Sequence, residues 1–168
     1  MNNHLKNILT TLSKKEVKFV VCGGVALALH GIERVTMDID ISVSMDRENL
    51  QELISTLKKL GMAPRAPIPA ESLLDPEKRK IITEEKGALV FTFIDAENPY
   101  KQVDIFLERD DLYSHLVKDA VAVHIQDTMI NIISIENLIN MKKEIKPPRG
   151  KDIHDIDELQ KLLKAKDG

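Results

Sequence analysis

Val17-Lys18-Phe19-Val20-Val21-Cys22-Gly23-Gly24, followed after thirteen residues by Asp38-Ile39-Asp40-Ile41-Ser42-Val43, is the stretch whose reading decides the fold. Val17 to Cys22 is a compact apolar run of the kind that forms a buried strand, and Gly23-Gly24 ends it. Val25 to His30 is rich in Ala and Leu and reads as a short helix closed by Gly31. Asp38 to Val43 alternates acidic or polar with apolar residues, which predicts a strand with two unlike faces. On such a strand Asp38 and Asp40 point to one side. Ile39, Ile41 and Val43 point to the other, into the core.

Leu5, Ile8, Leu9 and Leu12 recur at helical spacing and predict an N-terminal amphipathic helix before this stretch. After it, Asp46 is placed to cap a helix with Leu50, Leu53, Ile54, Leu57 and Leu60 as its stripe and Gly61 just past its end. Residues 62–80 break the pattern with Pro64, Pro67, Pro69 and Pro76 and a basic Lys78-Arg79-Lys80 cluster. Because proline lacks the N–H donor, this segment reads as a long loop or insertion, a place where acceptor specificity would sit. Ala88–Ile94 and Lys101–Leu107 are strand-like, joined by a turn through Asn98-Pro99, and Ala120–Ile125 and Thr128–Ile133 give two more strands. Ser134 is a good N-cap, with Glu136 in the first turn of a helix that stops before Pro147-Pro148. A last helix begins near Asp152, with Ile153, Ile156, Leu159 and Leu163 on one face. The whole is a mixed α/β (α+β) arrangement around one sheet. A single domain over residues 1–168 is expected, its helical end starting at about 134.

The composition of the 168 residues is that of a globular protein, 43% hydrophobic and 30% charged, which excludes disordered and collagen-like chains. The net charge of -3 argues against global coating of nucleic acid. No apolar run approaches the roughly 18 residues of a membrane span, and Met1-Asn2-Asn3-His4 has no signal-peptide character. A lone cysteine, Cys22, cannot form an internal disulfide; a cytoplasmic protein with no membrane partner is expected.

Two acids side by side on a strand repel each other, and are tolerated when cations or water lie between them. Mg²⁺ takes oxygen ligands, commonly a few carboxylates plus substrate phosphates, and paired metals suit in-line displacement at phosphorus. Gly23-Gly24, following a buried strand and opening a helix, lets backbone N–H groups approach a phosphate. Either feature alone has a plain structural reading, a strand-to-helix turn or a solvated strand edge. The two together, joined by a small helix, are more specific for metal-assisted phosphoryl or nucleotidyl transfer.

The run Val21-Cys22-Gly23-Gly24, Gly31 and Arg34-Val35-Thr36-Met37-Asp38-Ile39-Asp40-Ile41 resembles the signature of the nucleotidyltransferase superfamily, with its polymerase-beta-like fold. Within it, the pattern is most similar to bacterial AbiEii-type toxin and antibiotic-resistance nucleotidyltransferases. The resemblance implies transfer of a nucleoside monophosphate from an NTP, with ATP among the candidates and Mg²⁺ or Mn²⁺ as cofactor. The acceptor would be a hydroxyl on RNA such as a tRNA end, on protein or on a small molecule. It further implies that Asp38, Asp40 and a third carboxylate hold the metals and that Gly23, Gly24, Arg34 and Thr36 serve the nucleotide. The family often has Gly-Ser where this chain has Gly23-Gly24, which removes a hydroxyl that could contact phosphate.

The third carboxylate is Asp104 in Gln102-Val103-Asp104-Ile105-Phe106 or Asp95 in Phe93-Ile94-Asp95-Ala96. Asp104 is the better candidate, because a mid-strand acid between apolar residues needs a metal or partner. Turn chemistry next to Asn98-Pro99 accounts for Asp95. A second resemblance covers Ser134-Ile135-Glu136-Asn137-Leu138-Ile139, Lys142 and Arg149-Gly150-Lys151-Asp152-Ile153-His154-Asp155-Ile156. It implies that Lys142 neutralises triphosphate charge and that Asp152 or Asp155, on the nucleotide side, positions Lys142 or the acceptor. On spacing alone, Lys142, Lys143, Lys146, Arg149 and Lys151 read as a solvated face.

The five histidines show no zinc spacing, and His30 reads as a helix-end cap. Cys22, in an apolar strand with no base nearby, reads as structural. Ser42 shares the acid face and either meets metal-bound water or fills space. The competing reading is a catalytically inactive nucleotide- or partner-binding member of the fold, such as one component of a toxin–antitoxin pair with a cognate antitoxin. A phosphohydrolase or nuclease using the same acids is a third.

Overall fold

The computed structural model describes residues 1–107 and 109–167. Its helices are α1 (Asn3–Lys14), α2 (Gly23–Leu29), α3 (Arg47–Lys59), α4 (Pro76–Glu84), α5 (Leu112–Leu116), α6 (Ile135–Lys143) and α7 (Gly150–Asp167). Its strands are β1 (Phe19–Cys22), β2 (Asp38–Val43), β3 (Met62–Pro64), β4 (Val90–Asp95), β5 (Gln102–Phe106), β6 (Val121–Ile125) and β7 (Thr128–Ile132). The strands form one mixed sheet in the order β3-β4-β5-β2-β1-β7-β6. The β2–β5 and β1–β7 pairs are parallel and the rest antiparallel. This is the mixed α/β architecture expected from the sequence.

Alternation sets the two faces of the central strands. Ile39, Ile41, Phe91, Phe93, Val103 and Ile105 are buried together with β1, which is apolar on both sides. Their alternates Asp38, Asp40, Thr92, Gln102 and Asp104 remain partly exposed on the other face. The α1 stripe of Leu5, Ile8, Leu9 and Leu12 is wholly buried. At about 25 cal/mol per Å² such burial is the main stabilising term.

Four expectations change. Residues 62–80 are not a loop: they hold edge strand β3, a 3-10 turn at Ala70–Leu74 and the start of α4. The prolines are compatible because Pro64 lies on an edge strand and Pro76 at the first helical turn, behind Asp75, whose carboxylate accepts the Glu77 N–H at 2.9 Å. Arg79 of the basic cluster is buried, donating to the Leu73 carbonyl and facing Asp110 at 3.4 Å. Asp46 occupies the N-cap position of α3 but its side chain accepts no N–H there. Asn49 ties that corner instead, accepting from Lys18 N at 2.7 Å and donating to the Lys18 and Ser44 carbonyls. On α7 the inward stripe is Asp152, Asp155 and Leu159, while Ile153 is 59% exposed. His30 does more than end α2: its ring Nε2 lies 2.7 Å from the Ile133 carbonyl, tying α2 to the end of β7. The short helix α5, which the sequence reading passed over, carries only two buried residues, Leu112 and Leu116, too few to show a period.

Candidate active site

Strand register assembles the carboxylates. Asp40 pairs with Asp104 across the parallel β2–β5 ladder, and Asp38 with Gln102. Thr92 of β4 stands opposite Asp104, and Cys22 of β1 opposite Asp40. In-register residues share a face, so Asp38, Asp40 and Asp104 lie together on the partly exposed side.

Their electrostatics record the crowding. Asp40 is pushed up to about 6, first by burial, then by the charges of Asp104 and Asp38, with Lys142 opposing. Asp38 is raised too, by burial and then Asp104, while the nearby Arg65 pulls it down. Burial and the adjacent Asp40 raise the Cys22 thiol, so a reactive thiolate is disfavoured there. Asp95 stays apart: its carboxylate accepts the Glu97 and Asn98 N–H groups at 2.8 and 3.0 Å, closing the β4–β5 turn.

The glycines have an internal reason to be glycine. Gly23 has φ of +60°, and a Cβ there would stand 2.0 Å from Asp40 Oδ2. A Cβ on Gly24 would meet Thr36 Oγ1 at 3.2 Å. Thr36 also donates its hydroxyl to the Asp38 carbonyl at 3.2 Å. The turn from β1 into α2 is thus seated directly on the acid pair.

Behind the carboxylates lies a second charged group. Asp155 and Asp152 are completely buried. Arg34 donates to both oxygens of Asp155 at 3.0 Å, and Lys142 Nζ lies 3.0 Å from Asp155 and 3.5 Å from Asp152. Arg149 forks onto Asp152 at 2.7 and 3.0 Å, which lowers that carboxyl below its usual range. Asp152 and Asp155 therefore face the cations Arg34, Lys142 and Arg149 inside the protein, and the contact each makes with Lys142 agrees with the expectation that one of them positions it. Arg34 is likewise committed to Asp155. Lys142, the member whose charge reaches Asp40, joins the two groups.

Three residues missed in the sequence complete the cluster. Thr92 donates its hydroxyl to Asp104 Oδ1 at 2.6 Å, Gln102 Nε2 donates to Asp104 Oδ2 at 3.1 Å, and Arg65 donates to Gln102 Oε1. The Gln102-x-Asp104 spacing was available in the sequence. The juxtaposition of Thr92 and Arg65 depends on register and was not.

The donor set suits a hard divalent cation: carboxylate oxygens only, mutually repelling, with one protonated more readily than usual. Among the described residues, no three His, Cys, Asp or Glu side chains converge on one point as a ready-made shell. Water and substrate phosphate would have to supply the remaining ligands. The hollow of about 360 Å³ between α4 and Asp110 lies elsewhere and contains none of these residues.

Comparison with known proteins places the fold. The chain resembles, over 96% of its length and 98% of the other, the lincomycin-bound lincosamide antibiotic adenylyltransferase LnuA, at 18% identity and a TM-score of 0.61. It is similar to an antigenic nucleotidyltransferase-like protein from Paracoccidioides brasiliensis at 16% identity and a TM-score of 0.59, covering 96% of this chain and 77% of that one. The antibiotic-resistance factor ANT(2'')-Ia matches at 16% identity and a TM-score of 0.58, over 97% and 84% of the chains. At such identities these likenesses establish the fold. No curated protein matches in sequence. The family model described as nucleotidyl transferase AbiEii toxin of a type IV toxin–antitoxin system matches residues 7–167. The chain belongs to the AbiEii family of nucleotidyltransferases.

Proposed function

We propose that this protein transfers a nucleoside monophosphate from an NTP to an acceptor hydroxyl, with release of pyrophosphate. The observation that carries the reading is the in-register cluster of Asp38, Asp40 and Asp104, seated against Gly23 and overlooked by Lys142. Asp38, Asp40 and Asp104 would hold Mg²⁺ or Mn²⁺; such ions, when bound, polarise a phosphoryl oxygen and ease deprotonation of a hydroxyl. Asp104, on the acid-bearing strand farther from the glycine turn, takes the acceptor proton. The acceptor oxygen bonds to the α-phosphorus, the bond to the bridging oxygen breaks, and pyrophosphate leaves with its electron pair. Lys142, held by Asp152 and Asp155, faces the charge that grows on the leaving group. Backbone N–H groups at Gly23 and Gly24 serve the phosphates. Arg34 and Thr36 act one step back, through Asp155 and the Asp38 backbone.

Among the described residues no helix is long and apolar enough to cross a membrane. We place the activity in the cytoplasm, where NTPs are abundant, opposed there by a cognate antitoxin as the family description implies. The test is label transfer. The protein is incubated with each α-labelled NTP, Mg²⁺ or Mn²⁺, and fractionated RNA, protein and small-molecule extracts, beside Asp40→Asn. Label in one fraction, lost in Asp40→Asn, supports the reading and names the acceptor class. Binding of NTP with no label in any fraction contradicts it in favour of the inactive member of the fold.

A further inference from the structure

We propose that Thr92, Gln102 and Arg65 form a hydrogen-bonded relay that fixes the Asp104 carboxylate in the orientation its cation site needs. This rests on the transferase reading above. Thr92 and Gln102 are the direct positioning residues, and Arg65 acts through Gln102.

The three acids are not equivalent. Among the described residues, Asp104 alone receives a hydroxyl or amide donor on each of its two oxygens, from Thr92 at 2.6 Å and Gln102 at 3.1 Å. Asp104 is also the acid facing two like charges across one ladder, so repulsion would swing it away from Asp40 if nothing held it. A carboxylate has about four acceptor positions, so two donors leave lone pairs on both oxygens.

Arg65 sets the sense of the relay. Guanidinium only donates and an ionised carboxylate only accepts. The Gln102 amide lies between one of each, so its oxygen must face Arg65 and its nitrogen Asp104. Without Arg65 the amide is free to turn and present its oxygen to the carboxylate. The three residues also close on one another. Arg65 follows β3 directly, and its backbone N–H donates to the Thr92 carbonyl at 2.9 Å. Among the described residues Arg65 forms no ion pair, although Asp38 feels its charge.

Metal-bound groups depend on such outer partners, whose loss typically weakens metal binding about 10- to 100-fold. The experiment titrates the full chain with Mn²⁺ alone, following free Mn²⁺ by electron paramagnetic resonance. Thr92→Val keeps the shape and β-preference and removes the hydroxyl. Thr92→Ser keeps the hydroxyl. Gln102→Leu removes the amide. Arg65→Met separates two roles: as a mere nearby cation its loss tightens Mn²⁺ binding, whereas as the anchor of Gln102 its loss weakens it.

Thr92→Val and Gln102→Leu are expected to weaken Mn²⁺ binding about tenfold. Thr92→Ser is expected to stay near wild type, and Arg65→Met to weaken. Melting temperatures measured alongside check that each variant is folded. Wild-type-like affinity in folded Thr92→Val and Gln102→Leu, or tighter binding in Arg65→Met, would overturn the relay alone. A wild-type chain that binds no Mn²⁺, and so matches Asp40→Asn, would overturn the metal-dependent reading and the relay with it.

Discussion

Asp40 concentrates the electrostatic conflict of the site. Its carboxyl titrates near 6 when folded, against about 3.9 in an unfolded chain. A folded pKa raised above the unfolded one means that the native state binds more protons between the two values. This group's contribution to stability therefore falls as pH rises from about 4 to about 6, and its full cost, up to about 3 kcal/mol, persists above that. Asp38 is shifted in the same direction. We predict that, in the metal-free protein, removing this charge with Asp40→Asn raises the melting temperature less at pH 5 than at pH 7.5. Mg²⁺ should raise the melting temperature more at pH 7.5 than at pH 5. Asp40→Asn should abolish transfer yet raise the metal-free melting temperature at pH 7.5 by several degrees. A drop in that temperature would show that the cluster is not repulsive. At the same scale Gly23→Ala combines left-handed strain with a Cβ 2.0 Å from Asp40 Oδ2. Gly87 has nearly the same φ, +64°, with nothing within 4 Å of its Cβ position. Gly87→Ala should cost about 1 kcal/mol. Gly23→Ala should cost clearly more in chemical denaturation and lose transfer activity; equal losses would remove the contact with Asp40 from the account.

At the scale of elements, the instructive case is the packing of α7. Helical spacing singled out Ile153, Ile156, Leu159 and Leu163, but the inward stripe starts with Asp152 and Asp155. Hydrophobic periodicity assumes that buried means apolar. Here Arg34, Lys142 and Arg149 make burial of two acids tolerable, so the period was displaced. The AbiEii-like motif singled out Asp152 and Asp155 and tied them to Lys142, where the pattern did not, but it did not foretell their burial. Removing one partner of a buried ion group leaves the others uncompensated, at about 3–5 kcal/mol. Asp155→Ala is predicted to lower stability by that amount in urea, because Arg34 and Lys142 both lose a partner. A loss below about 1 kcal/mol would mean that the network carries little weight. Residues 62–80 read as a loop for the opposite reason. Their prolines sit where an edge strand and a first helical turn tolerate them, and only tertiary placement distinguishes that from a loop.

Across the whole molecule, legibility followed distance along the chain. The β1–α2–β2 unit and its acid pair are local, and alternation predicted both faces of β2. Asp104 was legible as an acid without a reason, but its pairing with Asp40 is a property of the sheet order, in which β5 lies beside β2. Arg65 and Thr92 join the cluster only because β3 and β4 extend the sheet on the same side. The sheet thereby gives the cluster two flanks, the glycine turn of β1 and the polar edge of β4 and β3, with the acids between. Nucleotide on the first flank and acceptor on the second is the arrangement the proposed chemistry requires.

The most direct test of that chemistry follows two labels in one reaction, the α- and the γ-phosphorus of the NTP, with the acceptor fraction identified by transfer. The account predicts that the α label becomes fixed to the acceptor and the γ label leaves as pyrophosphate, both lost in Asp40→Asn. The γ label on the acceptor, or released as orthophosphate while the α label stays with the nucleotide, would contradict nucleotidyl transfer.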